Sequence, residues 1–280
     1  MEQQQQTRRQ RRSARQRQRE QQAAGCLRIF LLLAVLLTGS LIFALVDGAG
    51  QSRWTRQLEP NPYDASEFTT SNGYLTCTAV YTRRGLDVSE HQEAIDWEQV
   101  RDAGFDFAFI RIGYRGYTTG NIYEDDYARE NLAGAKAAGL DVGVYFYAQA
   151  TNAEEAAEEA NWCLSFLNYE DLDLPVVYDW EYVGGSSRTA GMDKATLTEC
   201  VQVFCNAIED GGYESMVYFN PHVGNDLLDL KQLQQYPWWL AQYKDSMDYP
   251  YKVDIWQYTE TGKVPGIKGD VDIDLMFLHE

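Results

Sequence analysis

Two carboxylates stand two residues apart in the stretch LPVVYDWEYV (residues 174–183): Asp179 and Glu181, with Trp180 between them. An apolar, β-branched run leads into them and Gly184-Gly185 follows, the signature of a short buried strand ending in a turn. Side chains alternate along a strand, so the two acids share a face about 6.6 Å apart along the chain. Burying such groups is costly unless they are paired or used. Crowded carboxylates repel, which raises the pKa of at least one and keeps it protonated as a general acid. A protonated acid facing a second carboxylate, in a groove lined with Tyr and Trp, is the equipment of glycoside hydrolysis. An Asp capping the next turn beside a salt-bridged Glu would leave the same trace, so the chemistry depends on what else converges there.

The elements that would position these acids alternate after Gly85. Residues 86–88, 107–112, 142–147, the run ending at Asp179, 216–219, 239–243, 253–258 and 271–275 read as eight strands. Helical patterns fall at 95–103, 124–138 (closed by Gly139), 153–167, 194–208 and, more weakly, 223–234. The links at 244–252 and 259–270 are rich in Pro, Gly and Asp, whereas a parallel crossover needs a dozen or more residues, usually helical. The fold class is therefore α/β, an irregular TIM-like (β/α) barrel of about five βα units plus three strands lacking proper helices. Chemistry in such barrels sits at the C-terminal ends of strands. That rule gathers Asp87, Asp179, Glu181 and Asp272 at one mouth, with Tyr147, Gln242, Tyr243, Gln257 and Tyr258 around them. Singly, Asp87 could equally cap a helix, and Trp238, Trp239 and Trp256 could equally be core.

Other chemistries fit poorly. The three His (His91, His222, His279) show no H-E-x-x-H spacing, there is no G-x-S-x-G elbow or phosphate-cradling Gly loop, and no C-x-x-C pair. No cofactor is expected; Ca²⁺ or Mg²⁺ on the carboxylates is the lesser alternative. Charge divides the chain of 280 residues in two. Its net charge is −18, yet residues 1–46 carry eight Arg against Glu2 and Glu20, a net +6, which leaves −24 on the remainder. An acidic excess of that size disfavours nucleic acid and anionic surfaces but not a neutral sugar polymer.

Residues 29–46, IFLLLAVLLTGSLIFALV, contain no charge. Eighteen such residues are at the short end of a membrane-spanning helix and too long for most signal-peptide cores. The Arg-rich flank places 1–28 in the cytoplasm as a basic arm and makes 29–46 an uncleaved transmembrane signal anchor, with the C-terminal part outside; cleavage after Ala44-Leu45-Val46 is the alternative. Residues 47–75, rich in Gly, Pro, Ser, Asn and Thr, read as a flexible extracellular tether, and 76–280 as one domain. Cys77, Cys163, Cys200 and Cys205 permit three disulfide pairings or four buried thiols.

An ordered series of short motifs resembles glycoside hydrolase family 25, the Chalaropsis-type lysozymes. It opens with Gly85-Leu86-Asp87-Val88-Ser89, Gln92 and Ile95-Asp96-Trp97, then Phe109-Ile110-Arg111 and Gly143-Val144-Tyr145-Phe146-Tyr147. Asp179-Trp180-Glu181, Tyr218, Asn220-Pro221, Trp239-Leu240-Ala241-Gln242-Tyr243, Trp256-Gln257-Tyr258, Val264-Pro265-Gly266-Ile267 and Val271-Asp272 complete it, covering nearly all of residues 83–280.

The resemblance implies an N-acetylmuramidase cutting the β-1,4 bond between N-acetylmuramic acid and N-acetylglucosamine in peptidoglycan. It implies Glu181 as general acid and then base, Asp179 as the group that steadies the substrate's own attacking N-acetyl, and Asp87 and Asp272 as further site acids. Tyr147, Tyr114, Tyr218, Gln242, Tyr243, Trp256 and Gln257 would bind the glycan. Two positions depart from the family pattern. Glu93 stands where Gly commonly follows His-Gln, and Asp274 where Asn is usual, an extra acid that would raise a neighbour's pKa or shift the pH optimum downward. The expected protein is a monomer in the bacterial cell membrane, single-pass, facing peptidoglycan strands outside. The alternatives are a catalytically silent glycan-binding barrel and a chitin-type glycosidase.

Overall fold

A run of strands rich in Val, Phe and Tyr, the central ones too apolar to face water on either side, closes into a barrel. The computed structural model describes residues 58–278. They begin with a hairpin, β1 (Phe68–Ser71) and β2 (Tyr74–Cys77), whose register closes on Asn72-Gly73. Both turn residues have positive φ, 54° and 86°, the requirement of a two-residue type I′ turn. Then follow β3 (Thr82–Val88), α1 (Trp97–Asp102), β4 (Phe107–Arg115), β5 (Ile122–Glu124), α2 (Ala128–Ala137), β6 (Asp141–Ala148), α3 (Ala153–Leu167) and β7 (Val176–Trp180). The chain continues through α4 (Lys194–Asp210), β8 (Ser215–Phe219), β9 (Trp238–Ala241), β10 (Ile255–Gly262) and β11 (Val271–Phe277).

Strands β3, β4, β6, β7, β8, β9 and β10 are parallel neighbours in that order; β11 closes the barrel antiparallel to both β10 and β3. The reversal follows from length. Only residues 263–270 separate β10 from β11, too few for a parallel crossover, so the chain turns back as a hairpin.

Two apolar layers hold this together. Inside the barrel, Phe107, Phe109, Tyr145, Val177, Met216 and Trp239 form a filled plug. Gly85 makes room for it, because a Cβ there would lie 2.0 Å from the Phe107 ring. Outside, the apolar faces of the helices cover the parallel strands. Helix starts are fixed by side chains that accept orphan backbone N–H groups. Asp96 accepts from Gln99, Asn152 from Glu155, and Asp193 from Ala195 and Thr196.

Several expectations need correction. Residues 223–234 do not form a fifth α-helix; Val223–Leu227 is a π turn and Leu230–Gln232 a 3-10 turn. Gly224-Asn225-Asp226 are poor helix formers, and Gly224 is wedged so tightly that a Cβ would meet Phe219 and Tyr249 at 2.7 Å. Barrel units backed by an α-helix therefore number four among the described residues, not five. The helix expected from 124 starts at Ala128, since Ile122–Glu124 pairs with the end of β4.

Residues 58–75, counted by composition in the tether, are built into the domain. Tyr63 stacks on Phe277 at 4.7 Å, Phe68 meets Trp256 at 5.1 Å, and the Arg84 guanidinium lies 4.4 Å from the Tyr74 ring. This hairpin packs on the outer face of β10 and β11, which no α-helix among the described residues follows. Cys77, Cys163, Cys200 and Cys205 are all free and buried. The apolar segment 29–46 lies outside the described residues, as do the basic arm and the tether up to 57. Among the described residues no helix is long and apolar enough to cross a membrane.

Candidate functional site

The barrel's C-terminal mouth opens into a cavity of about 320 Å³ that holds all four acids singled out by sequence, Asp87, Asp179, Glu181 and Asp272. Each arrives by a different route. Asp179 is the fourth residue of β7, in register with Tyr147 of β6 and Tyr218 of β8, so three polar tips stand side by side. Glu181 follows one residue after the strand ends. Asp87 is the penultimate residue of β3 and pairs directly with Asp272. Asp272 lies at the start of β11, which would be the wrong end of a parallel strand; the reversal of β11 brings it to the same mouth.

The floor is apolar and the walls are hydrogen-bonded. Gln257 donates from Nε2 to Asp87 Oδ2 at 2.7 Å, while its Oε1 accepts from the hydroxyls of Tyr218 at 3.0 Å and Tyr243 at 3.2 Å. Trp239 donates from Nε1 to Asp274 Oδ1 at 2.8 Å. The backbone carbonyl of Glu181 accepts from Gln149 Nε2 at 3.1 Å, which pins the chain at the acid. Asp179 Oδ1 is buried and has no hydrogen-bond partner.

Burial and mutual repulsion push every one of these carboxyls upward. Asp87 is raised well above the ordinary carboxylate range, first by burial and then by Asp272 and Asp274. Asp179 is likewise raised by burial and by Glu181, with Arg111 pulling against them. Burial and then the Glu260 charge raise Glu181. Asp272 is pushed up to about 6 by burial, Glu260 and Glu181. Asp274, fully buried, is raised by burial and by Asp272. The mouth therefore stores protons at pH values where free carboxylates are ionised.

Of the expected glycan contacts, Tyr147, Tyr218, Tyr243 and Gln257 line the cavity. Gln242 lies in an adjoining cavity that also reaches Glu181. Trp256 is excluded: its ring is fully buried against Phe68 and Tyr258 on the outer face of β10, and its Nε1 donates to the Gln242 carbonyl at 2.7 Å. Tyr114 is also not in the cavity; its ring stacks on Tyr123 at 5.3 Å. Tyr258 faces outward too, accepting from the Leu75 amide at 3.4 Å.

Sequence reasoning passed over Ser89, His91, Gln92, Tyr145, Trp239, Glu260 and Arg111, all of which line the cavity. Arg111 had a signal, a charge inside the apolar run 107–112. It bonds Asp125 through Nε at 2.8 Å and Glu90 at 3.1 Å. Among the described residues lining the cavity it is the one Arg or Lys. Glu260 was hidden because β10 runs on to Gly262, past the expected end at 258.

Comparison with known proteins adds an independent line. The model of the glycosyl hydrolases family 25 matches residues 86–267. The uncharacterized protein YegX of Escherichia coli O157:H7 is 30% identical over 208 residues, 70% of this chain and 70% of YegX. An autolytic lysozyme of Clostridium acetobutylicum is 28% identical over 194 residues, 68% of this chain and 55% of that protein. Among solved structures, the modular autolysin LytC of Streptococcus pneumoniae in complex with a synthetic peptidoglycan ligand aligns with a TM-score of 0.64 and 26% identity. That alignment covers 79% of this chain and 52% of LytC, so this chain spans about half the length of that autolysin.

Proposed function

The chain belongs to the glycosyl hydrolases family 25 and is a glycoside hydrolase; from that premise we propose that it is a muramidase, cutting the β-1,4 bond from N-acetylmuramic acid to N-acetylglucosamine in peptidoglycan. The observation that carries the reading is the unpartnered, buried Oδ1 of Asp179 in the same cavity as the raised carboxyl of Glu181. A buried acceptor without a donor is costly. An acetamido N–H entering the cavity would satisfy it, and that contact orients the acetamido carbonyl towards the anomeric carbon.

Glu181, holding its proton, donates it to the glycosidic oxygen as the bond breaks. The substrate's acetamido oxygen attacks the anomeric carbon from the other side, and Asp179 stabilises the positive charge that spreads onto the acetamido nitrogen. Glu181, now a carboxylate, takes a proton from water as that water opens the cyclic intermediate. Substrate assistance of this kind is a recognised exception to the two-carboxylate spacing rule. Burial and the negative charge of Glu260 keep Glu181 protonated, while Asp272, raised by burial, Glu260 and Glu181, and Asp87, raised by burial, Asp272 and Asp274, crowd the same mouth.

We also assign residues 29–46 as a membrane anchor, on the strength of eighteen uncharged residues beside an Arg-rich flank. The catalytic domain then works as a monomer outside the bacterial membrane, within reach of the wall. The test is turbidity loss of purified peptidoglycan with the full-length chain beside its Glu181→Gln variant, followed by identification of the new reducing ends. The expected result is clearing by wild type alone, with muramic acid ends. Equal behaviour of the two would point to a silent glycan-binding barrel, and N-acetylglucosamine ends to a different glycosidase.

A further inference from the structure

Tyr243 stands where three cavities meet. One is the acid-lined mouth. A second, of about 560 Å³, shares Glu181, Tyr218 and Tyr243 with it. The third, of about 450 Å³, lies beyond Tyr243 and Lys244, between Thr70, Gly73 and Leu75 of the hairpin and Tyr258 and Thr259 of β10. Its hairpin wall precedes the residues matched by the family model, 86–267.

We propose that this hairpin-walled groove is a distal glycan subsite, which takes sugars of the strand beyond those held among the acids. The proposal rests on the muramidase reading and adds where a long strand goes. Continuity is the first argument. Tyr243 is 47% exposed, yet its hydroxyl is tied to Gln257 at 3.2 Å, so the ring is a fixed partition between mouth and groove. Gln257 in turn holds Asp87. A strand lying across Tyr243 therefore touches both compartments through one ordered side chain.

The lining chemistry is the second argument. A pyranose offers an apolar C–H face and a rim of hydroxyl and acetamido groups. The groove answers with Tyr243 beside the Thr70 and Thr259 hydroxyls, the mixture of aromatic surface and a few placed polar groups typical of ligand sites. Its charges cancel, since Lys244 and Asp245 are one of each sign. A groove without net charge suits a neutral sugar polymer, whereas the adjacent mouth is strongly acidic.

Rigidity is the third. The hairpin is locked by Phe68 on Trp256, Tyr74 between Phe105 and Arg84, and the Tyr74 hydroxyl donating to the Lys263 carbonyl at 3.1 Å. These contacts come from both faces of the hairpin and leave Thr70 exposed. At Gly73 a Cβ would find nothing within 4 Å, so the tip leaves the groove open above. A wall held this way is formed before the ligand arrives.

The experiment compares cleavage of peptidoglycan glycan strands of two lengths, four sugars and at least eight, by the full-length chain. Wild type is expected to favour the longer strand in kcat/KM. Thr70→Trp fills the groove and should lower kcat/KM on long strands about ten-fold, mainly through KM, the equivalent of one well-placed contact. Its preference for length should then vanish, and Thr70→Ser, which keeps the hydroxyl, should retain it. Calorimetry with β-1,4-linked N-acetylglucosamine oligomers and the Glu181→Gln chain gives a second readout: affinity should rise from trimer to hexamer, and with Thr70→Trp added it should not. A wild type indifferent to length, or a Thr70→Trp chain with undiminished length preference, overturns the subsite. A wild type that cuts neither strand while binding the oligomers with length-dependent affinity would instead overturn the muramidase reading and leave the groove standing.

Discussion

The barrel has two unlike arcs. Along β4, β6, β7 and β8 the strands are parallel and backed by α-helices, with β7 and β8 buried throughout. Along β10, β11 and β3 the direction reverses, no α-helix among the described residues links β9, β10 and β11, and aromatic residues of the 68–77 hairpin supply the cover. The acids divide in the same way. Asp179 and Glu181 end β7 on the helix-backed arc, while Asp87, Asp272, Asp274 and Glu260 crowd the other. The arc with conventional architecture carries the pair we propose to act on the scissile bond. The irregular arc carries charges that set how tightly that pair holds its protons.

The sharpest way to break this division is to neutralise one acid from each arc. Glu181→Gln should cost on the order of 10²–10⁴ in kcat, the usual worth of a general acid. Asp272→Asn should cost less and move the pH dependence, since Asp272 sits at about 6 and acts through its charge. Equal losses with an unmoved pH profile would erase the distinction.

Stability separates the arcs next. If the hairpin replaces missing helices, its anchor should matter as a core residue does. Phe68 is 8% exposed and lies against Trp256, Phe277 and Tyr63. Phe68→Ala should destabilise by about 3 kcal/mol, seen as a lowered urea midpoint. A change below roughly 0.5 kcal/mol, the range of ordinary surface substitutions, would mean the hairpin only decorates the barrel.

A smaller effect is expected at the loop after β3. Glu93 has φ 55° and ψ −143°, a conformation that suits glycine and strains any L side chain. This explains why the family pattern carries Gly there. The Glu93 side chain gains only a long, exposed contact to Lys268 at 3.9 Å. Glu93→Gly should therefore stabilise the domain by about 1 kcal/mol, and a lower midpoint in the variant would refute the strain.

Legibility in the sequence followed the same boundary. Asp179, Glu181 and Tyr147 were readable because they stand at the ends of their strands, a local property, whereas Tyr218 was readable only through the family resemblance. Asp87 and Asp272 were readable as site acids, but the antiparallel pairing that joins them was not, since it depends on where the chain goes after Gly262. Trp256 misled because one residue decides which face of β10 a side chain takes; Gln257 faces in, so Trp256 faces out. The Asn72-Gly73 hairpin carried a strong local signal, yet the Pro, Ser and Thr around it read as tether. Arg111 and Glu260 act through partners far along the chain, which no window around them contains.

The finest test concerns Asp274, the second departure from the family pattern. It is fully buried, and its Oδ1 accepts from Trp239 Nε1 at 2.8 Å. Its charge is among the causes that raise Asp87. An Asn there keeps an oxygen for Trp239 and removes a like charge, which favours the ionised form of Asp87. Carboxyl NMR titration of Asp274→Asn should therefore show the Asp87 pKa lower than in wild type. The sign for stability follows. A carboxyl raised on folding binds its proton more tightly in the folded chain, so stability is greatest below the ordinary Asp value of 3.8 and drains as pH rises towards the raised value. Removing one such carboxyl should flatten that decline above pH 3.8. An Asp87 titration and a stability profile both unchanged would mean that the extra acid is electrically silent, and that the irregular arc tunes the site through Asp272 and Glu260 alone.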